Sequence, residues 1–343
     1  MNRRTWTLLV SLGLAMVLGL LGGLVTVPYV ALRPGPTFDT LGTVAGRTVV
    51  DVVGTRTYPT AGHLNMTTIS VVDNVTLYGA MGFWLSGSSA LVPRDDIFPA
   101  ELSQQQVQQQ NQQMFQDSES NAETAALHYL GYPSKIVVSQ VLANGASNGK
   151  LVPGDRLLSV NGKQVDSAQQ LVDLVTAGHP GQVVQVGFQR GDTPPRQVPV
   201  TLGTGRQPNR GYLGIMLGDR PDVPFHITIS LADIGGPSAG LMFALSIVDK
   251  LTPGALTGNR FVAGTGEIRS DGTVQPIGGI PFKMIRARQA GATVFLVPAG
   301  NCDEAAQRTP DGLRLVRVAS LGDAVHALDQ LRVGQQPAGC GHA

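Results

Sequence analysis

From Trp6 to Val27 the chain runs for 22 residues without a charged side chain. At about 1.5 Å per residue, a helix of that length covers roughly 33 Å, enough to cross a ~30 Å hydrocarbon core. A segment in such surroundings must satisfy its own backbone hydrogen bonds, which leaves a helix as its only fold. A cleaved signal peptide has a shorter apolar core and a small-x-small cleavage site, and neither precedes the break at Arg33-Pro34-Gly35-Pro36. The segment therefore reads as an uncleaved anchor over 6–32. Arg3 and Arg4 on its short side place residues 1–5 in the cytoplasm and the body of the chain outside it.

The roughly 310 residues beyond the anchor suffice for two or three domains, each with its own core. With 25 basic and 24 acidic residues the net charge is +1. No basic block interleaved with aromatics tracks a phosphate backbone, so nucleic acid is not an expected partner. The six histidines are scattered and no His/Cys cluster has zinc spacing, so no metal or cofactor is expected. One span argues against a transporter. Cys302 and Cys340 face an oxidising compartment, where they either bridge the tail (333–343) to the last domain or both stay free.

Residues 33–100 alternate apolar and polar positions in Arg47–Val53 and Leu64–Val72 and read as a small β-rich domain without chemistry of its own. The glutamine-rich stretch within 101–131 reads as a polar helical linker. From 132 to 204 the pattern changes. Gly154-Asp155 opens a strand, Asn161-Gly162 makes a tight turn, and Ser167 with Gln170 forms a capping box ahead of a helix. This stretch resembles a PDZ domain. The resemblance implies an extended peptide added as a strand in a groove between the strand near Lys135–Val141 and the helix Ser167–Thr176. The carboxylate-binding loop of such a domain falls at Leu130-Gly131-Tyr132.

Residues 205–332 carry the chemistry. In Gly235-Gly236-Pro237-Ser238-Ala239-Gly240, the glycines allow a sharp turn into a helix and the small residues leave space beside the Ser238 hydroxyl. Leu241, Met242, Leu245, Val248 and Leu251 recur at helical spacing, so this helix has an apolar face to support the serine. Backbone N–H groups around Gly236, Pro237 and Ser238, at the positive helix end, are placed to stabilise an oxyanion. A serine needs a base. Arginine cannot act as one, and the chain has only five lysines against twenty arginines. Lys250 lies twelve residues along the same helix, about 18 Å away. Lys135, Lys150 and Lys163 fall in the PDZ-like stretch. Lys283 remains, in the first turn of a helix after Gly278-Gly279, with Ile280, Phe282 and Ile285 around it to lower its pKa by burial. His226, just upstream of the glycine turn, is the alternative base. The bland reading is that Ser238 merely caps a buried helix.

Three motifs, Pro237-Ser238-Ala239-Gly240, Thr265-Gly266-Glu267-Ile268 and Pro276-Ile277-Gly278-Gly279-Ile280, resemble the Lon-type serine–lysine peptidase domain. The resemblance implies an endopeptidase with Ser238 as nucleophile, Lys283 as base and Thr265 orienting the lysine. The chain departs from the family at Gly235, where many Lon domains carry an aspartate; the nearest acid is Asp233. The order of anchor, β domain, PDZ-like domain and Lon-like domain is similar to that of the membrane-tethered PDZ–Lon peptidases of bacteria, the YlbL-like group. The expected fold class is α+β multidomain: an N-terminal transmembrane helix, a β-rich domain, a PDZ-like domain and a C-terminal α/β proteolytic domain. The sequence contains no Gly-x4-Gly-Lys-Ser/Thr loop, so ATP-independent cleavage of unfolded or flexible extracytoplasmic polypeptides is expected. Ring assembly, as a hexamer, is implied by the resemblance only. The competing reading is a catalytically silent PDZ-type scaffold at the membrane.

Overall fold

The computed structural model describes residues 3–99, 101–191, 193–205, 209–231 and 234–341. Its helices, in chain order, are α1 (Arg3–Leu24), α2 (Leu77–Ser86), α3 (Arg94–Ile97), α4 (Gln104–Tyr129), α5 (Ala168–Thr176), α6 (Gly240–Leu251), α7 (Ile280–Gln289), α8 (Cys302–Gln307) and α9 (Leu321–Arg332). Strands alternate with them, so the chain is a mixed α and β protein. It divides into two units, one built from 1–126 with 225–343 and the other from 127–224.

The first unit is organised by a six-stranded sheet in the order Arg314–Val318, Val294–Pro298, Phe261–Gly264, His63–Val72, Tyr29–Asp39, Ala90–Pro93. The first four strands are parallel to one another and the last two pair antiparallel. Val294–Pro298 is buried at every position, the continuous apolar pattern of a strand covered on both faces. On one face, Ile280, Met284, Ala287 and Ala305 of α7 and α8 pack against Ala263, Phe295, Val297 and Leu315. On the other lies α6, where Gly264 approaches Met242 Sδ and Leu296 so closely that a Cβ there would collide with both. α6 is buried from Gly240 to Asp249, not along one stripe. It is enclosed by the sheet, by α9 and the strand Val50–Val53, and by Phe115 of α4, whose ring meets Phe243 edge-on at 5.8 Å.

This sheet corrects the expected domain boundaries. Residues 33–100 do form strands, but they are not a domain of their own. Phe261–Gly264 pairs in parallel with His63–Val72, from Phe261↔His63 to Gly264↔Met66, so the early strands complete the sheet of the C-terminal segment. The linker at 101–131 is corrected too. α4 buries Phe115, Ser118, Ala122, Ala125 and Ala126, a helical stripe hidden among glutamines.

α1 is long and apolar enough to cross a membrane, a property that spans share with signal sequences. α2 packs against it. The Tyr78 hydroxyl donates to the Leu18 carbonyl (3.2 Å), and the Tyr78 ring occupies the space that a Cβ on Gly22 would need. Below them, Val27 N–H donates to Val75 O and Leu77 N–H to Val25 O.

The second unit holds a sheet in the order Arg196–Thr201, Val183–Gln189, Arg156–Val160, Ser134–Val141, Ile215–Pro221. Its core is Leu157, Val160, Leu171, Val175, Val184, Val186, Val200 and Leu202. Asn161 and Gly162 both take the positive φ (51° and 78°) that the tight turn requires. Ser167 Oγ caps α5 by accepting from Gln170 N–H, while the Gln170 side chain accepts from Asp166 N–H and not from Ser167. The expected groove is displaced by one strand. Ile215–Pro221 pairs with Ser134–Val141 along its whole length, so the open edge belongs to Ile215–Pro221. The loop that leads into it, Gly211-Tyr212-Leu213-Gly214, lies beside α5, with Gly211 N–H donating to Gly178 O (2.8 Å). Leu130-Gly131-Tyr132 instead finishes α4, and the unit extends past 204 to 224.

Candidate active site

Residues 235–238 form a turn whose geometry depends on Gly236, at φ 86°. The turn is held from behind by α4. Gly236 N–H donates to the Asn111 carbonyl (2.9 Å), and the buried Ser118 hydroxyl donates to the Pro237 carbonyl (2.9 Å). Gly240 makes this approach feasible, because a Cβ there would lie 2.7 Å from Ser118 Oγ. On the other side the Ser238 carbonyl accepts from Gly266 N–H (2.8 Å) and from the Thr265 hydroxyl (2.9 Å). The peptide groups flanking Ser238 are thus fixed from two directions.

Ser238 stands just before α6, whose N-cap is Ala239 and receives no side-chain hydrogen bond. Its hydroxyl is not a cap. It lies instead 2.7 Å from Lys283 Nζ, which also donates to Thr265 Oγ1 (2.9 Å). Lys283 enters from the first turn of α7, where Gly279 at φ 75° turns the chain and Pro281 suits the opening positions of the helix. The lysine is 2% exposed and Thr265 is fully buried. Burial pushes the Lys283 pKa down to about 7. Its amine is therefore substantially neutral near pH 7 and able to take a proton.

Two sequence expectations for the site change in the structure. Gly236 N–H is already committed to Asn111, and Pro237 has no N–H, so neither supplies an oxyanion donor. The backbone N–H groups of Ser238 and Ala239 have no protein acceptor among the described residues. His226 is exposed on the strand His226–Ile229, paired with Val53, and makes no hydrogen bond to Ser238. Asp233 lies outside the described residues. Asn111 and Ser118 were missed by sequence reasoning; the signal available for them was the helical spacing of Phe115, Ser118 and Ala122.

A cleft of about 840 Å³ opens in front of Ser238 and Lys283. Its walls include Phe38, Met66 and Ile69 from the early strands, Val107 and Met114 from α4, and Ile277 before α7. Asn301 braces the Ile277 wall, accepting from Ile277 N–H (2.8 Å) and donating to its carbonyl (2.9 Å). Next to it, Cys302 is joined to Cys340 by a disulfide, which settles the pairing that the sequence leaves open. Among the described residues no cluster of three or more metal-ligating side chains occurs.

Ser238 Oγ thus stands against a buried lysine amine that also donates to the Thr265 hydroxyl. Residues 218–328 match the model of the Lon protease (S16) C-terminal proteolytic domain. This segment is a Lon-type proteolytic domain. The Lon protease of Methylocella silvestris is 38% identical to the chain over 112 residues, 32% of this chain and 14% of that protein. Lon protease 1 of Bacillus subtilis is 32% identical over 114 residues, 32% of this chain and 14% of that one. The chain thus spans about a seventh of the length of these curated relatives. Residues 104–202 match a PDZ domain. A solved PDZ domain of an SdrC-like protein from Listeria monocytogenes is 22% identical, covering 24% of this chain and 86% of that one with a TM-score of 0.23. The strands Tyr29–Asp39 and His63–Val72, outside the matched Lon-type segment, belong structurally to the same sheet. Most of α4, inside the matched PDZ segment, packs in the same unit as the Lon-type segment.

Proposed function

We propose that this chain is a membrane-anchored serine endopeptidase that acts outside the cytoplasm without ATP. The observation that carries the reading is the 2.7 Å approach of Ser238 Oγ to a lysine amine that burial holds near neutrality. Ser238 Oγ attacks the scissile carbonyl carbon as Lys283 Nζ takes its proton. The oxyanion is met by the N–H groups of Ser238 and Ala239. The lysine ammonium returns the proton to the leaving amine, and water, activated by the same amine, releases the acyl group. Thr265 keeps the amine aimed during both steps.

Retention of α1 is supported by its contacts: a cut before Thr26 would remove the partners of Tyr78 and Leu77. Arg3 and Arg4 at its start and the Cys302–Cys340 disulfide fit a catalytic unit outside the cytoplasm. The sequence holds no phosphate-binding loop, and the substrates are accordingly polypeptide segments already unfolded or flexible. The PDZ domain recruits them by strand addition at the Ile215–Pro221 edge.

The test is cleavage of an unfolded protein by the full chain in lipid nanodiscs without ATP, beside Ser238→Ala and Lys283→Arg variants. Fragments from the parent alone are expected. A parent that binds peptide and releases it uncut across a range of pH would leave a scaffold in its place.

A further inference from the structure

From Asn74 to Pro93 the chain makes a second uncharged excursion, which contains α2. Its ends are tied together: Arg94 Nε and Nη2 donate to the two carboxylate oxygens of Asp73, each at 3.0 Å. Ala80 packs inward with Ala31 and Val75. The other face is bare. Trp84 is 75% and Leu85 72% exposed, and Leu77, Tyr78 and Met81 are about half exposed. Water-soluble surfaces rarely present a contiguous apolar patch of this kind without a partner.

The patch is continuous with α1. Tyr78 is bound to Leu18, six residues before the end of α1, which places it about 9 Å down that helix from its exit. Interfacial helices lie about 5–10 Å into the boundary between headgroups and acyl chains, and Trp and Tyr concentrate at that level. The exposed Leu21, Leu24 and Val25 of the α1 exit lead directly into the α2 face. Two cations stand beside this segment: Arg33, whose guanidinium stacks 5.5 Å from the Phe83 ring centroid, and Arg94, which closes its end on Asp73.

We infer that α2 is an interfacial membrane helix, buried in the leaflet from which α1 emerges, with Trp84, Leu85 and Met81 among the acyl chains. The inference rests on the reading of α1 as a retained span. The occupant of the patch is lipid: both apolar surfaces join at one hydrogen-bonded corner, and a bilayer that accepts α1 to the depth of Leu18 already reaches α2. Two attachments of this kind stop the catalytic unit from swivelling about a single helix.

The two tryptophans of the chain, Trp6 in α1 and Trp84 in α2, allow each attachment to be read alone. Full-length Trp6→Phe and Trp84→Phe proteins are reconstituted into vesicles of phosphatidylcholine and phosphatidylglycerol, with and without lipid brominated along its acyl chains. Trp84, alone in Trp6→Phe, is expected to shift its emission to the blue on reconstitution. It should lose most of that emission to bromolipid and little to aqueous acrylamide. Trp6, alone in Trp84→Phe, should also be quenched by bromolipid. Quenching of Trp6 with Trp84 open to acrylamide would leave the span standing and overturn the inference. Trp84 shielded from both quenchers would also overturn it, since protein would then cover the patch. Failure of bromolipid to quench either residue would sink the span and the inference together.

Discussion

The Ser118 hydroxyl donates to the carbonyl of Pro237, 119 residues later in the chain and immediately before Ser238. In a trans peptide the carbonyl and the following N–H point in opposite directions. A Pro237 carbonyl held toward α4 therefore turns the Ser238 N–H away from α4, unpaired among the described residues. On the proposed mechanism, Ser118 thereby sets the direction of an oxyanion donor.

Replacing Ser118 tests that relationship. Ser118→Ala should lower kcat by about tenfold or more, within the range for loss of an oxyanion donor, and leave KM within about a factor of two. Ser118→Thr, which keeps the hydroxyl, should recover much of the loss. A peptide boronate, which mimics the tetrahedral state, should weaken in step with kcat/KM, and unchanged boronate affinity would show that Ser118 only supports the fold.

Thr265 joins the Lys283 amine to the Ser238 carbonyl through one hydroxyl. Thr265→Val, of similar volume, should reduce kcat by about 10–100-fold and Thr265→Ser should reduce it far less, because the contribution is a positioned hydrogen bond. Steady-state kinetics of the pair decides it, and equal losses would argue for packing of the methyl group instead.

Burial lowers the Lys283 pKa to about 7, below the ordinary 10.5. Activity should rise with pH through a midpoint near 7, since only the neutral amine accepts the serine proton. The same shift has a stability cost. Between about 7 and 10.5 the unfolded chain carries the proton and the folded chain does not, so stability increases as pH rises through that window. Lys283→Met should abolish cleavage and raise the free energy of unfolding at pH 7 by up to several kcal/mol, and the melting temperature with it. A variant melting at or below the parent temperature would contradict this.

Cys302 and Cys340 close a loop with a sequence separation of 38. Cys340→Ser with Cys302→Ala should destabilise the chain by about 3–4 kcal/mol on the chain-entropy model, measured by denaturant unfolding. Because Asn301 adjoins Cys302 and braces Ile277, the double variant should also raise KM. A change in stability with KM untouched would separate the disulfide from the cleft.

What the sequence made legible follows the range of the forces involved. Ser238 and Lys283 were readable because each lies in or just after a short motif whose glycines and prolines mark a special backbone, whereas Thr265 came only from the resemblance to Lon-type domains. Their meeting within 3 Å was an inference from those motifs, and the structure places them together. Strand formation at His63–Val72 was readable from alternation, but its partner was not, because a local pattern carries no information about which distant strand completes the ladder. Likewise Ser134–Val141 looked like a free edge, since nothing in it announces that Ile215–Pro221 will cover it. α4 misled through composition: its glutamines face outward and outnumber Phe115 and Ser118, which do the packing. α2 went unread because a short apolar run such as Leu77–Leu85 fits a buried strand and a helix alike.

The pairing of His63–Val72 with Phe261–Gly264 spans roughly 200 residues of intervening chain, a contact of high sequence separation and so a slow one to form. Until the later strand arrives, the earlier one presents an open edge, and the cleft lacks both its hydroxyl and its amine. Walls that are synthesised first wait for chemistry that is synthesised last. A chain still being synthesised therefore cannot bring Ser238 and Lys283 against the earlier strands, and the order of synthesis itself delays the completed cleft until the C-terminal segment has been made.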